Sequence, residues 1–166
     1  MIRALFIGRF QPFHLGHLHA IKQILQECDA IVIGIGSAQY NNTKENPLPF
    51  DLRKEIITEV LQAEKIENFT VVGIDDVNND AQWVKHVLSI TGSVDVVYTG
   101  NEKVKKLFSE AGILVKQQRF VIPITGTIER HMIVEEHKRW QGYLHPTTVK
   151  ILQGKRGVEM IRQGRI

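Results

Sequence analysis

Two histidines near the start of the chain, His14 and His17, stand where a predicted buried strand is followed by a predicted helix. Because they are three positions apart at a helix start, both imidazoles can face one ligand. The free backbone N–H groups of a helix start and the positive end of its dipole also attract phosphate. Gly8 and Gly16 lack side chains where a nucleotide ring could press against the backbone. Together these residues predict a site for a nucleoside triphosphate.

A second helix start carries hydroxyl groups. The run Thr125-Gly126-Thr127 opens another predicted helix, and Arg130 lies one turn further along the same face. Backbone N–H groups and hydroxyls at a helix start can donate to phosphate, and arginine binds phosphate through several N–H groups. An ordinary helix cap followed by an exposed arginine explains these residues equally well, so both interpretations stay open on the residues alone.

The sequence offers no set of metal ligands. The spacing of His14 and His17, with no glutamate between them, excludes a site of the HExxH type, and no Cys or acidic cluster supplies other ligands. We therefore expect no metal ion held by protein side chains. The other histidines are interpreted as surface or core residues: His19, His86, His131, His137 and His145.

The elements that must position these residues follow from hydrophobic periodicity. Apolar, β-rich runs alternate with helical patterns, which predicts an α/β protein with a doubly wound parallel sheet and right-handed crossovers. Strands are predicted at 2–7, 30–35, 69–74, 94–98 and 113–115, and helices at 15–27, 51–63, 81–90 and 102–110. After Pro123 only helices are predicted, opening at Thr125, at Pro146 and near Val158. Residues 124–166 are therefore expected to pack against the sheet as a small helical cap.

Composition limits the class of protein. A length of 166 residues with 43% hydrophobic content predicts one domain over residues 1–166. No run approaches the roughly 20 apolar residues of a membrane span, and the N-terminus lacks a signal-peptide pattern, so we expect a cytoplasmic protein without a membrane partner. The net charge is +3, and the basic excess from Arg119 onward suits either a polyphosphate ligand or a solvated tail. We expect no nucleic acid as a partner.

Two separate segments carry a family resemblance. The run from Gly8 to His17 resembles the HxGH signature of the nucleotidyltransferase superfamily, in the GRFxPxHxGH form of archaeal-type nicotinamide-nucleotide adenylyltransferases. The run from Ile124 to Arg130 resembles that family's ISGTxxR motif, with threonine in place of the usual serine. Residues 35–39 and 83–87 are also similar to their family counterparts, whereas Asp80 stands where relatives often have Asn or His.

Related families are less similar. Pantetheine-phosphate adenylyltransferases typically carry threonine at the position of His14, and cytidylyltransferases carry a GTFD-type opening and an RTEGIST-type second motif. This chain has neither feature. The resemblance therefore implies the Rossmann-like nucleotidyltransferase fold and the nicotinamide-nucleotide branch of the superfamily.

The resemblance also implies a reaction: transfer of the AMP unit of ATP to nicotinamide mononucleotide, by direct in-line attack of the acceptor phosphate. NAD and pyrophosphate are the products, so the reaction belongs to NAD biosynthesis. The residues expected to donate to the reacting phosphates are His14, His17, Arg9 and Arg130. The residues expected to bind ATP are Gly8, Phe10, Gly16, Gly100, Asn101, Thr125, Gly126 and Thr127. Those expected on the acceptor side are Ser37, Arg53, Asp80 and Trp83.

Two of these assignments have plain structural alternatives. Trp83 can stack on a cationic pyridinium ring or serve as a core residue beside Val84 and Val87. Arg53 can line the nucleotide cleft or form a surface ion pair with Glu55 or Glu59.

Other functions and partners stay open at this point. Mg²⁺ is expected to arrive with ATP, held mostly by its phosphates and by water. The acceptor could instead be FMN, nicotinate mononucleotide or phosphopantetheine. A non-catalytic nucleotide-sensing module is a third hypothesis, against which the intact His14, His17 and Arg130 argue. The resemblance further implies a homo-oligomer, commonly a hexamer.

Overall fold

The computed structural model describes residues 1–118 and 121–164. Within these ranges the strands are β1 (Arg3–Gly8), β2 (Ala30–Ile35), β3 (Phe69–Gly73), β4 (Val96–Tyr98) and β5 (Leu114–Lys116). The helices are α1 (Leu15–Glu27), α2 (Phe50–Ala63), α3 (Asp80–Thr91), α4 (Glu102–Glu110), α5 (Gly126–Val134), α6 (Pro146–Gly154) and α7 (Gly157–Gln163). A 3₁₀ helix, Lys138–Tyr143, lies between α5 and α6.

The strand order of the sheet is β3-β2-β1-β4-β5, and all neighbouring strands run parallel. The chain therefore builds outward from β1 to β3, returns to the other side of β1, and continues with β4 and β5. This topology confirms the predicted doubly wound sheet. Ligands of such sheets bind outside the carboxyl ends of the strands where the order reverses, which here is between β1 and β4.

Helices cover both faces of the sheet because side chains alternate along each buried strand. Phe6 of β1 faces an apolar cluster that includes residues of α1 and α2. Its neighbour Leu5 faces a second cluster, formed with α3 and α4. These two layers hold the carboxyl ends of the strands, and the loops that follow them, at one edge of the molecule.

The C-terminal region is helical, as predicted. Its largest contact with the rest of the chain lies between α6 and α2. Ile133, Trp140 and Leu152 extend the apolar cluster of the α1–α2 face. The region therefore packs mainly on a helix that covers the sheet, and its role as a cap on the sheet stays a prediction. Residues 165 and 166 of the predicted cap, and Arg119, lie outside the described residues.

Most element bounds agree with the sequence prediction. β2, α1 and α4 begin and end at the predicted residues, and the other elements before Pro123 differ by at most two positions. The 3₁₀ helix was not predicted, because a tight six-residue segment around buried Trp140 has no helical periodicity to detect. In the described ranges, no helix combines the length and apolar character needed to cross a membrane. The single-domain interpretation stays a prediction.

One carboxyl group is buried inside the helical region. Glu129 of α5 is 0% exposed, and within residues 1–118 and 121–164 neither of its carboxyl oxygens has a hydrogen-bond partner. Burial disfavours the charged form and raises the pKa of Glu129 to about 8. Glu129 is therefore protonated in the folded chain at neutral pH.

This burial predicts how stability depends on pH. Between pH 4.5 and about 8 the unfolded chain releases the Glu129 proton while the folded chain keeps it, so the free energy of unfolding falls as pH rises. Glu129→Gln removes this loss, and we expect it to be more stable than the wild type at pH 9 by about 2 to 4 kcal/mol. Urea denaturation at pH 6 and pH 9 measures the difference. Exposed Glu159→Gln is the control, and equal pH dependence in the wild type and Glu129→Gln would contradict the prediction.

Candidate active site

His14 and His17 cap helix α1 reciprocally. His14 is the N-cap residue, and its Nδ1 accepts a hydrogen bond from the backbone N–H of His17 at 3.3 Å. The Nδ1 atom of His17 accepts in return from the backbone N–H of His14 at 3.1 Å. The two rings stack with their centroids 3.6 Å apart. A capping box usually combines a hydroxyl and a carboxylate, and here two imidazoles satisfy the two free backbone donors.

This arrangement determines the protonation of both rings. Because each Nδ1 accepts a hydrogen bond, the single proton of each neutral imidazole must be on Nε2. Burial lowers the pKa of His14 to about 4. Burial and the neighbouring His14 lower the pKa of His17 as well. At neutral pH both rings are therefore uncharged, and each has one N–H donor to offer.

The two histidines differ in their access to a ligand. The His17 ring lines a cavity beside the carboxyl end of β1. His14 is only 3% exposed, and its imidazole lies in the space that a side chain on Gly16 would occupy. The His17 ring is therefore accessible from this cavity, whereas the His14 ring is buried. The role of His14 at the phosphates stays a prediction.

The structure also corrects the interpretation of the two glycines. A Cβ on Gly16 would lie 2.9 Å from Cε1 of His14, and a Cβ on Gly8 would lie 3.0 Å from Cζ of Phe10. Phe10 has a φ of 54°, which turns its ring back over the strand end, where it packs edge-on against His17. The spaces left by Gly8 and Gly16 are thus filled by the protein's own rings. Contact of these glycines with ATP stays a prediction.

A cavity of about 480 Å³ brings together most of the residues predicted for the phosphates and ATP. It lies where the loops after β1 and β4 meet the start of α5. A second cavity of about 890 Å³ shares Arg9, Thr127 and Arg130 with it and extends to Lys44 of the long loop before α2. The predicted residues that line the first cavity are Arg9, Phe10, His17, Gly100, Asn101, Thr125, Gly126, Thr127 and Arg130.

Arg130 connects the two motifs. Its Nη1 donates to the backbone oxygen of Gln11 at 2.9 Å, across 119 positions of sequence, and Thr125 caps α5 by accepting from the backbone N–H of Ile128. Burial and the nearby charge of Arg9 lower the pKa of Arg130, while Glu45 opposes this effect. Two guanidinium groups that disfavour each other's charge lie beside one cavity. An anion between them removes the repulsion, so the cavity favours phosphate.

A third cavity, of about 350 Å³, lies on the predicted acceptor side and contains Asp80 and Trp83. Trp83 packs edge-on against Phe108 at 5.6 Å and also lines this cavity, so its core and binding interpretations both have support. Asn101 lines this cavity as well as the cavity that contains His17. The two spaces are therefore adjacent.

Sequence reasoning missed Asp76 and Lys103, which also line the acceptor-side cavity. For both residues, the position in the sequence relative to a predicted element could have indicated a place in the site. Asp76 follows the carboxyl end of β3, and Lys103 lies in the first turn of α4, directly after Asn101. These positions belong to the edge of the sheet at which ligands bind.

Arg53 is buried, which excludes one of its two sequence interpretations, while its predicted role on the acceptor side stays a prediction. It is 0% exposed, so the surface ion pair with Glu55 or Glu59 is wrong. Its guanidinium donates to the backbone oxygens of Arg9 at 3.0 Å, Gly36 at 2.9 Å and Ser37 at 3.1 Å. Burial and Arg9 lower its pKa to about 10, so it stays charged at neutral pH. Arg53 therefore ties the loops after β1 and β2 together and lines none of the three cavities.

Ser37 also lies beside the acceptor-side cavity without lining it. Its φ is 49°, and its Oγ donates to Oδ2 of Asp76 at 2.8 Å. Ser37 thus holds the Asp76 carboxylate, which itself lines the cavity. Ser37 is therefore connected to this cavity through Asp76, and its direct contact with the acceptor stays a prediction.

A doubly wound sheet with a phosphate-favouring cavity at its switch point defines a nucleotide-binding α/β protein. Residues 5–149 match the cytidylyltransferase-like family, and both motifs lie inside this range. The chain is 41% identical over 163 residues to the nicotinamide-nucleotide adenylyltransferase of Thermoplasma volcanium, covering 97% of this chain and 91% of that protein. It is 43% identical over 164 residues to the enzyme of the same name from Thermoplasma acidophilum, covering 97% and 90%. The chain therefore belongs to the nicotinamide-nucleotide adenylyltransferase family.

Solved structures show the same fold. A bifunctional NMN adenylyltransferase/ADP ribose pyrophosphatase from Francisella tularensis, complexed with AMP and a manganese ion, matches with a TM-score of 0.80 and 23% identity. The match covers 98% of this chain and 51% of that protein. A putative nicotinate-nucleotide adenylyltransferase from Vibrio parahaemolyticus matches with a TM-score of 0.68 and 17% identity, covering 92% and 99%.

The environment of Arg53 predicts a large loss of stability when it is replaced. Arg53→Met leaves the carbonyl oxygens of Arg9, Gly36 and Ser37 without their charged donor, and we expect the free energy of unfolding to fall by about 3 to 5 kcal/mol. Lys54→Met changes an exposed charge on the same helix and is expected to change it by less than about 0.5 kcal/mol. Urea denaturation at pH 7 compares the two variants. Equal stability of Arg53→Met and Lys54→Met would contradict the structural role of Arg53.

Proposed function

We propose that this chain transfers the AMP unit of ATP to nicotinamide mononucleotide, forming NAD and releasing pyrophosphate. The observation that carries the proposal is the adjacency of two cavities that share Asn101. One has Arg9, His17 and Arg130 on its wall, and the other has Trp83. The names of the closely similar archaeal relatives support the same activity.

The chemistry requires alignment and charge neutralisation. An oxygen of the acceptor phosphate attacks the α-phosphorus of ATP, the bond from this phosphorus to the bridging oxygen breaks, and pyrophosphate leaves. The acceptor phosphate is already a nucleophile, so no covalent intermediate is required. The protein must hold the two substrates in line and stabilise the charge that develops on the leaving oxygens. The Nε2–H of neutral His17 and the guanidinium groups of Arg9 and Arg130 are the proposed donors.

Each ligand has a proposed place. ATP lies along the cavity that contains His17, with its phosphates beside Arg9 and Arg130 at the start of α5. The pyridinium ring of nicotinamide mononucleotide lies against Trp83, because an aromatic face attracts a cation. His14, held behind His17, is proposed to keep the His17 ring in position as well as to take part at the phosphates.

Mg²⁺ is proposed to enter as part of the ATP substrate. Residues 1–118 and 121–164 contain no group of three or more His, Cys, Asp or Glu side chains that could hold a metal ion. The charged side chains on the described walls of the phosphate cavity are the cations Arg9 and Arg130. The ion would therefore be held by the phosphates and by water, which suits its octahedral preference.

The cytoplasmic location and the homo-oligomeric assembly, commonly a hexamer in this family, stay predictions. Analytical ultracentrifugation of the full chain measures the assembly.

The acceptor is tested directly by pyrophosphate release. The purified chain is given ATP and Mg²⁺ with nicotinamide mononucleotide, nicotinate mononucleotide, FMN or phosphopantetheine in turn. We expect release with nicotinamide mononucleotide. Release with FMN alone would overturn the proposed acceptor, and ATP binding without release for any acceptor would indicate a nucleotide-sensing module.

The role of the His17 donor is tested by three substitutions. His17→Ala is expected to lower kcat by about 10²- to 10³-fold, because a donor used mainly in the transition state is lost. His17→Asn keeps an acceptor near the position of Nδ1 and lacks a donor at Nε2, so we expect a similar loss. His17→Gln keeps a donor near Nε2 and should retain more activity than His17→Asn. His19→Ala, on the same helix, is the control.

The contradicting result is specific. If folded His17→Asn, verified by circular dichroism, keeps the turnover number of the wild type, then His17 does not act as a phosphate donor.

A further inference from the structure

An ion pair joins the two helices on either side of the acceptor-side cavity. Lys103 of α4 lies with its Nζ 2.9 Å from Oδ1 of Asp80 at the start of α3. Both residues line the cavity that contains Trp83. Their side chains are 66% and 58% exposed, so the pair lies at the rim, where an entering ligand would meet it.

The charges around this cavity are unequal. Its lining residues in the described ranges include the carboxylates of Asp76 and Asp80 and one cation, Lys103. Asp76 accepts from Ser37 at 2.8 Å, whereas Lys103 is neutralised by Asp80. The cavity therefore carries a net negative charge, and its single ammonium group already has a carboxylate partner.

Two mononucleotides of similar shape differ in the group that such a cavity would detect. Both carry a cationic pyridinium ring and a phosphate. Nicotinamide mononucleotide adds a neutral carboxamide, whereas nicotinate mononucleotide adds a carboxylate. A carboxylate placed at this rim is repelled by Asp76 and Asp80, and it finds Lys103 already occupied.

We propose that the Asp80–Lys103 ion pair makes this site select the amide mononucleotide over the acid mononucleotide. The inference rests on the proposed function, because it concerns the acceptor of that reaction. Asp80 acts in two ways: it repels the substrate carboxylate, and it occupies the one ammonium group that could bind it.

The pair predicts the effect of removing either charge. Asp80→Asn frees Lys103, and we expect the ratio of kcat/KM for nicotinate to that for nicotinamide mononucleotide to rise about tenfold at low salt. Lys103→Met leaves both carboxylates unopposed and should lower this ratio. The double variant removes both charges and should return the ratio close to that of the wild type, because the two effects are coupled.

A salt titration and a matched control separate this pair from general surface charge. The shift caused by Asp80→Asn should shrink as salt is raised, because charges that are mostly exposed are screened by ions. Glu110→Gln removes a carboxylate from the exposed Lys106–Glu110 pair on the same helix α4, outside the cavity, and should leave the ratio unchanged.

The test is pyrophosphate release with each mononucleotide, measured for the wild type, Asp80→Asn, Lys103→Met, the double variant and Glu110→Gln. The inference would be overturned if the ratio were the same in Asp80→Asn and the wild type, or if it shifted equally in Glu110→Gln. In either case, turnover of nicotinamide mononucleotide by the wild type would leave the proposed function standing. Absence of turnover with both mononucleotides in the wild type would overturn the proposed function, and the inference would fall with it.

Discussion

The two hydrogen bonds exchanged by His14 and His17 are the constraint on which the rest of the site depends. They begin helix α1, and they require both Nδ1 atoms to be acceptors. A protonated imidazole has no free acceptor, so a charge on either ring would remove one of the two capping hydrogen bonds. The same bonds that complete the cap therefore leave a neutral ring with one donor, on Nε2, at the wall of the phosphate cavity.

Contacts in the surrounding structure fix the position of this donor relative to the other groups of the site. Arg130 reaches from α5 to the backbone of Gln11, and Arg53 binds carbonyl oxygens of the loops after β1 and β2. Both contacts are made by charged groups to backbone atoms, so they fix loop positions. Arg53 does this without lining a cavity, whereas Arg130 also lines the phosphate cavity. A site built in this way is rigid where the reacting phosphates must be aligned.

Sequence patterns were sufficient for the strands, the α-helices and the two motifs, because strand and helix periodicity is local and each motif is contiguous. They could not reveal how side chains fill space between elements. The positive φ of Phe10 places its ring over Gly8, and His14 fills the space at Gly16, so the apparent openings are closed. The burial of Arg53 was hidden because its partners come from separate loops. The Asp80–Lys103 pair joins two helices, which no local period indicates.

The central claim is that both histidines are neutral with the proton on Nε2, and nitrogen NMR of the full chain tests it most directly. With histidine labelled by ¹⁵N in the ring, the chemical shifts of Nδ1 and Nε2 report the tautomer and the charge of each imidazole. We predict that between pH 6 and pH 8 His14 and His17 both show an unprotonated Nδ1 and a protonated Nε2. The claim would be contradicted if either ring gained its second proton near the ordinary pKa of 6.5, or carried its single proton on Nδ1.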